Sequence, residues 1–117
     1  MNKPRVLLVE DNPGQAALTR FFLEPHCYLA TVTASTAARV KFAAYQWDLI
    51  VLDLFLEGSE SGLGLLRMIK ELRPEQRVVV KSAAVTDAIR QQCLELGADA
   101  VLEKTGHPER LLEYLDG

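Results

Sequence analysis

The 117-residue chain has only two cysteines, Cys27 and Cys93, and they stand in no CxxC or metal-ligand spacing. A disulfide framework and the common cysteine metal sites are therefore excluded, and both thiols are expected to be reduced, as in the cytosol. Long apolar runs are missing too. A stretch such as residues 49–52 falls far short of the ~20 residues that a membrane span needs. Residues 6–9 are too short for a secretory signal, and acidic residues follow at once. No strong charge of one sign is present. A net charge of −3 gives no field that favours nucleic acid or an anionic membrane. What remains is ordinary for a globular domain: 49% hydrophobic and 25% charged residues, in a length that fits one domain.

Apolar runs alternate with helix signals along the chain. Arg5–Val9 reads as a strand. Asn12-Pro13 then starts a helix, with Asn12 as N-cap and Gln15 completing a capping box, and Pro25 stops it. Residues 28–33 are β-branched and aromatic, a second strand. Ser35 caps a helix reaching to about Tyr45, with Ala38, Phe42 and Tyr45 on one face. Residues 48–54 hold a third strand, apolar on both faces. A Gly/Ser/Glu loop follows, then a helix marked by Leu63, Leu66, Ile69 and Leu72 and ended near Pro74. Residues 77–82 form a fourth strand. Thr86 caps a fourth helix, with Ile89, Cys93 and Leu96 on one face and Gly97 past its end. Residues 99–103 form a short fifth strand, and Pro108 opens a last helix carrying Leu111, Leu112 and Leu115. The order is (βα)₅. Strands apolar on both faces require helices on both faces of a parallel sheet, so an open, doubly wound α/β sheet is predicted.

Ligands of such sheets bind at the carboxyl ends of the strands. Glu10 and Asp11 follow the first strand, Asp53 ends the third, Ser82 the fourth, and Glu103-Lys104 the fifth. Two carboxylates ~5 Å apart repel by roughly 3 kcal/mol at an effective dielectric of 20. A cluster of three needs cations. Lys104 is one, and a hard divalent ion such as Mg²⁺ is the natural second. An Asp beside such an ion can act as a nucleophile toward phosphorus, with the metal and Lys104 neutralising the phosphoryl oxygens and Ser82 binding the attached group.

Four segments, VLLVEDN (6–12), DLIVLDL (48–54), VVVKSA (78–83) and GADAVLEK (97–104), resemble in order and spacing the response-regulator receiver domain of two-component signalling. The resemblance covers essentially the whole chain and implies a flavodoxin-like fold of strand order 2-1-3-4-5 over residues 1–117. It implies that Asp53 is the phosphoacceptor. Asp11 would be a direct Mg²⁺ ligand, Glu10 a ligand through water, and the Phe55 backbone carbonyl the third protein ligand. Ser82 would be the switch hydroxyl and Lys104 the site lysine. The implied partner is a histidine kinase or histidine phosphotransfer protein, docking on the first helix and the loops around Asp53. Phe21 and Phe22 are adjacent on that helix and cannot both face the core fully, so one of them reads either as a docking contact or as partly buried at the helix end. The implied output surface is the fourth helix, fifth strand and fifth helix, with the downstream partner open. The implied location is the cytoplasm.

Four positions depart from the family pattern. Thr105 follows Lys104 where a cis-proline is typical. Glu57 replaces a proline four residues after Asp53, in a loop to the Gly62 helix start that is about one residue longer than the family pattern. Val101 stands where a switch aromatic is common, and Lys81 where an apolar residue is usual. Lys81 reads as a snorkelling strand-end lysine, or as a second cation near the site or a partner contact. Gly62-Leu63-Gly64 reads as helix-start packing rather than a nucleotide fingerprint. Phe55, apolar where a haloacid-type phosphatase carries a second Asp, counts against a turnover enzyme. His26 and His107 read as surface or capping residues, Tyr28 and Tyr45 as structural, and Trp47 as packing and a candidate reporter of the site. Three readings stay open: a phosphorylated signalling domain, a degenerate receiver serving as a phosphate-independent interaction module, and a small metal-dependent phosphatase.

Overall fold

A computed structural model of the chain describes residues 3–56, 61–104 and 108–115. The loop around Glu57, as well as Thr105 and His107, lies outside the described residues. The elements run β1 (Arg5–Val9), α1 (Pro13–Leu23), β2 (Tyr28–Val32), α2 (Ser35–Ala44), β3 (Leu49–Asp53), α3 (Gly62–Leu72), β4 (Val78–Ser82), α4 (Asp87–Glu95) and β5 (Ala100–Glu103). A 3₁₀ turn (Glu24–His26) follows α1, and a 3₁₀ segment (Pro108–Tyr114) closes the chain. All strand pairings are parallel, in the order β2-β1-β3-β4-β5.

Burial follows this order. β1 beyond Arg5, and all of β3 and β4, are buried, because helices cover both faces. The outer strands β2 and β5 are only partly covered. Side chains alternate in direction along each strand. Leu7, Val9, Ile50, Leu52, Val78 and Val80 meet Phe42, Leu65, Leu66 and Ile69 on the side of α2 and α3. Val6, Leu8, Leu49, Val51 and Val79 meet Ala16, Leu23 and Leu111 on the side of α1 and the C-terminal segment. Each such side chain contributes ~1.5–3 kcal/mol by leaving water.

Most helix starts follow the sequence. The Asn12 side chain accepts from the Gln15 N–H at 3.0 Å, and Thr86 caps α4 through Ile89 N–H at 3.1 Å. Gln15 Oε1 makes no return bond, so only half of the predicted capping box forms. Ser35 is not a cap. Ala34 holds that position without a side-chain bond, and Ser35 is buried in the first turn. Tyr45 leaves the helix in an extended conformation and is exposed, so it does not share the face of Ala38 and Phe42. In α3 the buried stripe is Leu65, Leu66 and Ile69, whereas Leu72 is exposed. The last helix is 3₁₀ rather than α, although Leu111 is buried as expected. Tyr28 lies largely in solvent on the outer strand, with the Lys3 ammonium 5.9 Å from its ring centre. Cys27 and Cys93 are free and buried in different core layers.

Gly62 opens α3 against the end of β3. Its N–H donates to Leu54 O at 3.0 Å, and an added Cβ would sit 2.5 Å from the Asp53 carbonyl oxygen. Gly62→Ala is expected to destabilise the fold by ~1–3 kcal/mol through forced backbone displacement, read as a lower urea midpoint with an unchanged slope.

Candidate functional site

The site begins where apolar strands run out. Glu10 is the residue after β1, and its N–H still bonds to Val32 O at 3.0 Å, so it is held as if the strand continued. Asp53 is the last residue of β3, and the neighbouring pairing Val9↔Leu52 sets it level with Glu10. Both are buried, at 2% and 3% exposure. Asp11 follows Glu10 and is half-buried. Carboxylate oxygens of Glu10, Asp11 and Asp53 lie within 4.8 Å of one another.

Lys104 arrives from beyond β5, its backbone N–H fixed to Ser82 O at 2.9 Å. Its ammonium reaches over the end of β4 and donates to Glu10 Oε2 at 2.8 Å and to Asp53 Oδ2 at 2.9 Å. Charge-assisted bonds of this kind are among the stronger ones. The other Asp53 oxygen accepts from Phe55 N–H at 3.0 Å, and Glu10 Oε2 also accepts from Asn12 N–H at 3.1 Å. Burial would lower the Lys104 pKa, but its bonds to Glu10 and Asp53 reverse that and hold it above the usual lysine value. Burial pushes Asp53 up to about 6; Lys104 opposes the shift, the Glu10 carboxyl adds to it, and the Phe55 N–H opposes it. Three carboxylates thus face one bridging ammonium. An all-oxygen set of this density suits a hard divalent cation such as Mg²⁺, which takes one or two carboxylates and keeps water for its remaining positions.

The structure therefore brings together four of the residues picked from the sequence: Glu10, Asp11, Asp53 and Lys104. Phe55 contributes its N–H to Asp53, while its ring is exposed. Ser82 is fully buried at the same rim, but its hydroxyl is engaged with Ala84, donating to its carbonyl at 3.0 Å and accepting from its N–H at 3.3 Å. Val101 is buried, and its carbonyl accepts from Arg90 of α4 at 2.9 Å. Two expectations need correction. Lys81 does not snorkel: it is 2% exposed and bonded inside the fold to Thr19 of α1. Trp47 lies before β3, at the amino end of the sheet, with its indole N–H on Lys41 O at 3.1 Å, away from the carboxyl rim that carries the site. Gly62 was read as packing only; its contact with the Asp53 backbone makes it part of the site's support.

An open parallel sheet in this order, with buried acids and a bridging lysine at its carboxyl rim, defines a phosphorylation-type signalling domain. The chain belongs to the response regulator receiver domain family, whose pattern it matches over residues 6–116. It is 34% identical over 109 residues to the nitrogen assimilation regulatory protein NtrX of Azorhizobium caulinodans, covering 92% of this chain and 24% of that protein. A CheY-like receiver domain structure from Methanospirillum hungatei superposes with a TM-score of 0.87 at 24% identity, covering 96% of this chain and 90% of that one. A response regulator from Burkholderia pseudomallei, solved with a phosphorylated aspartic acid, superposes with a TM-score of 0.85 at 28% identity, covering 97% of this chain and 67% of that one. The chain spans between about a quarter and about half of the length of the curated relatives it matches. Receiver domains serve two-component systems as phosphoacceptors, taking phosphoryl groups from histidine kinases and binding Mg²⁺ at an acidic pocket. Among the described residues no helix is long and apolar enough to cross a membrane.

The raised Asp53 pKa has a sign. Without metal, the folded chain holds a proton on Asp53 between its ordinary 3.8 and about 6 that the unfolded chain has released. This contribution to stability is full below the lower value and is lost as pH rises through the upper one. In chelator, the stability advantage of Asp53→Asn over the wild type should therefore grow from about pH 4 to pH 7 in urea unfolding.

Proposed function

We propose that this chain, as a single receiver unit over residues 1–117, accepts a phosphoryl group on Asp53 from the phosphohistidine of a histidine kinase or histidine phosphotransfer protein. The observation that carries this reading is the Lys104 ammonium bridging Glu10 and Asp53, with Asp11 in the same cluster. One Asp53 carboxylate oxygen attacks phosphorus, the P–N bond of the donor breaks, and the electron pair leaves on the imidazole. The Phe55 N–H and Lys104 hold the carboxylate still for in-line attack. Mg²⁺ would be held by Asp11 and Asp53 directly, by Glu10 through water and by the Phe55 carbonyl, and when bound it neutralises charge on the phosphoryl oxygens. Lys104, bonded to Asp53, is already in place to do the same.

Ser82 then leaves Ala84 and bonds the attached phosphoryl group, shifting the 83–86 loop and with it α4, a population shift driven by the new contact. Hydrolysis of the acyl phosphate returns the chain to its resting state slowly, as Phe55 offers no general acid or base two residues after Asp53. The buried, reduced cysteines fit a cytoplasmic setting. The Burkholderia pseudomallei structure, with its phosphorylated aspartic acid, supports the same chemistry here.

Intact mass after incubation with Mg²⁺ and acetyl phosphate tests this reading. One phosphoryl adduct is expected, absent in Asp53→Ala and in chelator. Lys104→Ala is expected to take up phosphate ~10²–10³-fold more slowly, as when a single preorganised donor is removed. A folded wild type that takes no phosphate from acetyl phosphate or from any histidine donor would make the chain a phosphate-independent interaction module.

A further inference from the structure

Among the described residues three charge-bearing side chains are buried: Glu10, Asp53 and Lys81. They form a row. Glu10 is level with Asp53 across β1 and β3, and Asp53 pairs with Lys81 across β3 and β4. Neighbouring strands lie ~4.8 Å apart. Two residues before each member of the row stand Leu8, Val51 and Val79, all in the core layer on the α1 side. Side-chain alternation therefore directs Glu10, Asp53 and Lys81 to that same side. The Lys81 ammonium ends on Thr19 Oγ1 of α1 at 3.2 Å, and Thr19 is itself 1% exposed.

A hydroxyl satisfies one of the three N–H groups of an ammonium and none of its charge. A buried lysine with a neutral partner is strongly disfavoured unless charge nearby compensates it. Burial lowers the Lys81 pKa, Glu10 and Asp53 oppose that, and Lys104 adds to it. The same two carboxylates are bridged by Lys104.

We propose that Lys81 is a second cation of the phosphorylation site, a positioning residue that acts on Glu10 and Asp53 from beneath and is held off them by Thr19. The inference rests on the acidic cluster being the metal and phosphoryl site proposed above. Lys81 touches no reacting atom. It changes the charge met by an incoming ion: three carboxylates face two ammonium groups instead of one. Its presence weakens the hold on a divalent cation and favours a doubly negative phosphoryl donor. Thr19 sets how much of that charge reaches the carboxylates, because a free ammonium would turn toward them.

Calorimetric titration with Mg²⁺ of the wild type, Lys81→Met and Thr19→Val tests this, with thermal unfolding as a second readout. Lys81→Met is expected to bind Mg²⁺ roughly tenfold more tightly and to melt higher, because an apolar chain of similar length replaces a buried ammonium. Thr19→Val, which keeps the charge and loses its tether, is expected to bind Mg²⁺ several-fold more weakly. Packing alone does not produce opposite signs. Equal Mg²⁺ affinity in all three proteins overturns the role of Lys81 and leaves the site reading intact. A wild type that binds no Mg²⁺ overturns the metal site itself, and this inference with it. Should Lys81→Met not fold, Thr19→Val decides: weaker binding supports the role, and unchanged binding overturns it.

Discussion

Two buried carboxylates, on Glu10 and Asp53, are tolerated at the centre of this sheet because one ammonium bonds both. Much of the site's architecture can be traced to that constraint. The carboxylates come from the adjacent strand ends of β1 and β3, while Lys104 comes from beyond β5, two strands away from β3. To close the gap, its backbone is pinned to Ser82 at the end of β4 and its side chain lies across the rim. The ion pair thus ties together the ends of β1, β3 and β5 and encloses the residue that would be the switch. Such a pair adds little net stability, since both partners were better hydrated apart. Its value is geometric: it fixes one Asp53 oxygen, and the Phe55 N–H fixes the other.

The polar rim and the apolar core are one pattern read at two heights. Along β1, β3 and β4 the columns on the α1 side read Val6-Leu8, Leu49-Val51 and Val79, then change to Glu10, Asp53 and Lys81. The strands continue unchanged while the chemistry switches in one step. The ladder therefore aligns the charged groups with the same precision as the core residues below them. Glycine at position 62 lets α3 start hard against that last step, where a side chain of any size would push on the Asp53 backbone.

How much of this was legible in the sequence depends on which forces acted locally. The strand ends were readable because an apolar run followed by Asp or Glu is a short-range signal, and the order of the (βα) units left few topologies. Asn12 and Thr86 cap as their side chains dictate. Ser35 does not, because burial of the first turn of α2 outweighed a local cap and moved the boundary to Ala34. Leu72 and Tyr45 fit helical spacing yet emerge into solvent, since spacing alone does not say where the neighbouring layer ends. Lys81 was misjudged as snorkelling. The alternation that places it on the α1 side was present in VVVKS, but whether water or Thr19 awaited its ammonium depended on a helix 62 residues earlier in the chain.

Cys27 packs in the layer beside α1 and Cys93 in the layer beside α4, with the whole sheet between them. Burial raises both thiols above their ordinary values, so little reactive thiolate is present on either. An internal crosslink would need the layers to come apart. The protein thus carries one silent chemical clock in each half: attack by a thiol reagent at either position times the opening of that half alone. Comparing the two rates would tell whether the layers separate together or one before the other.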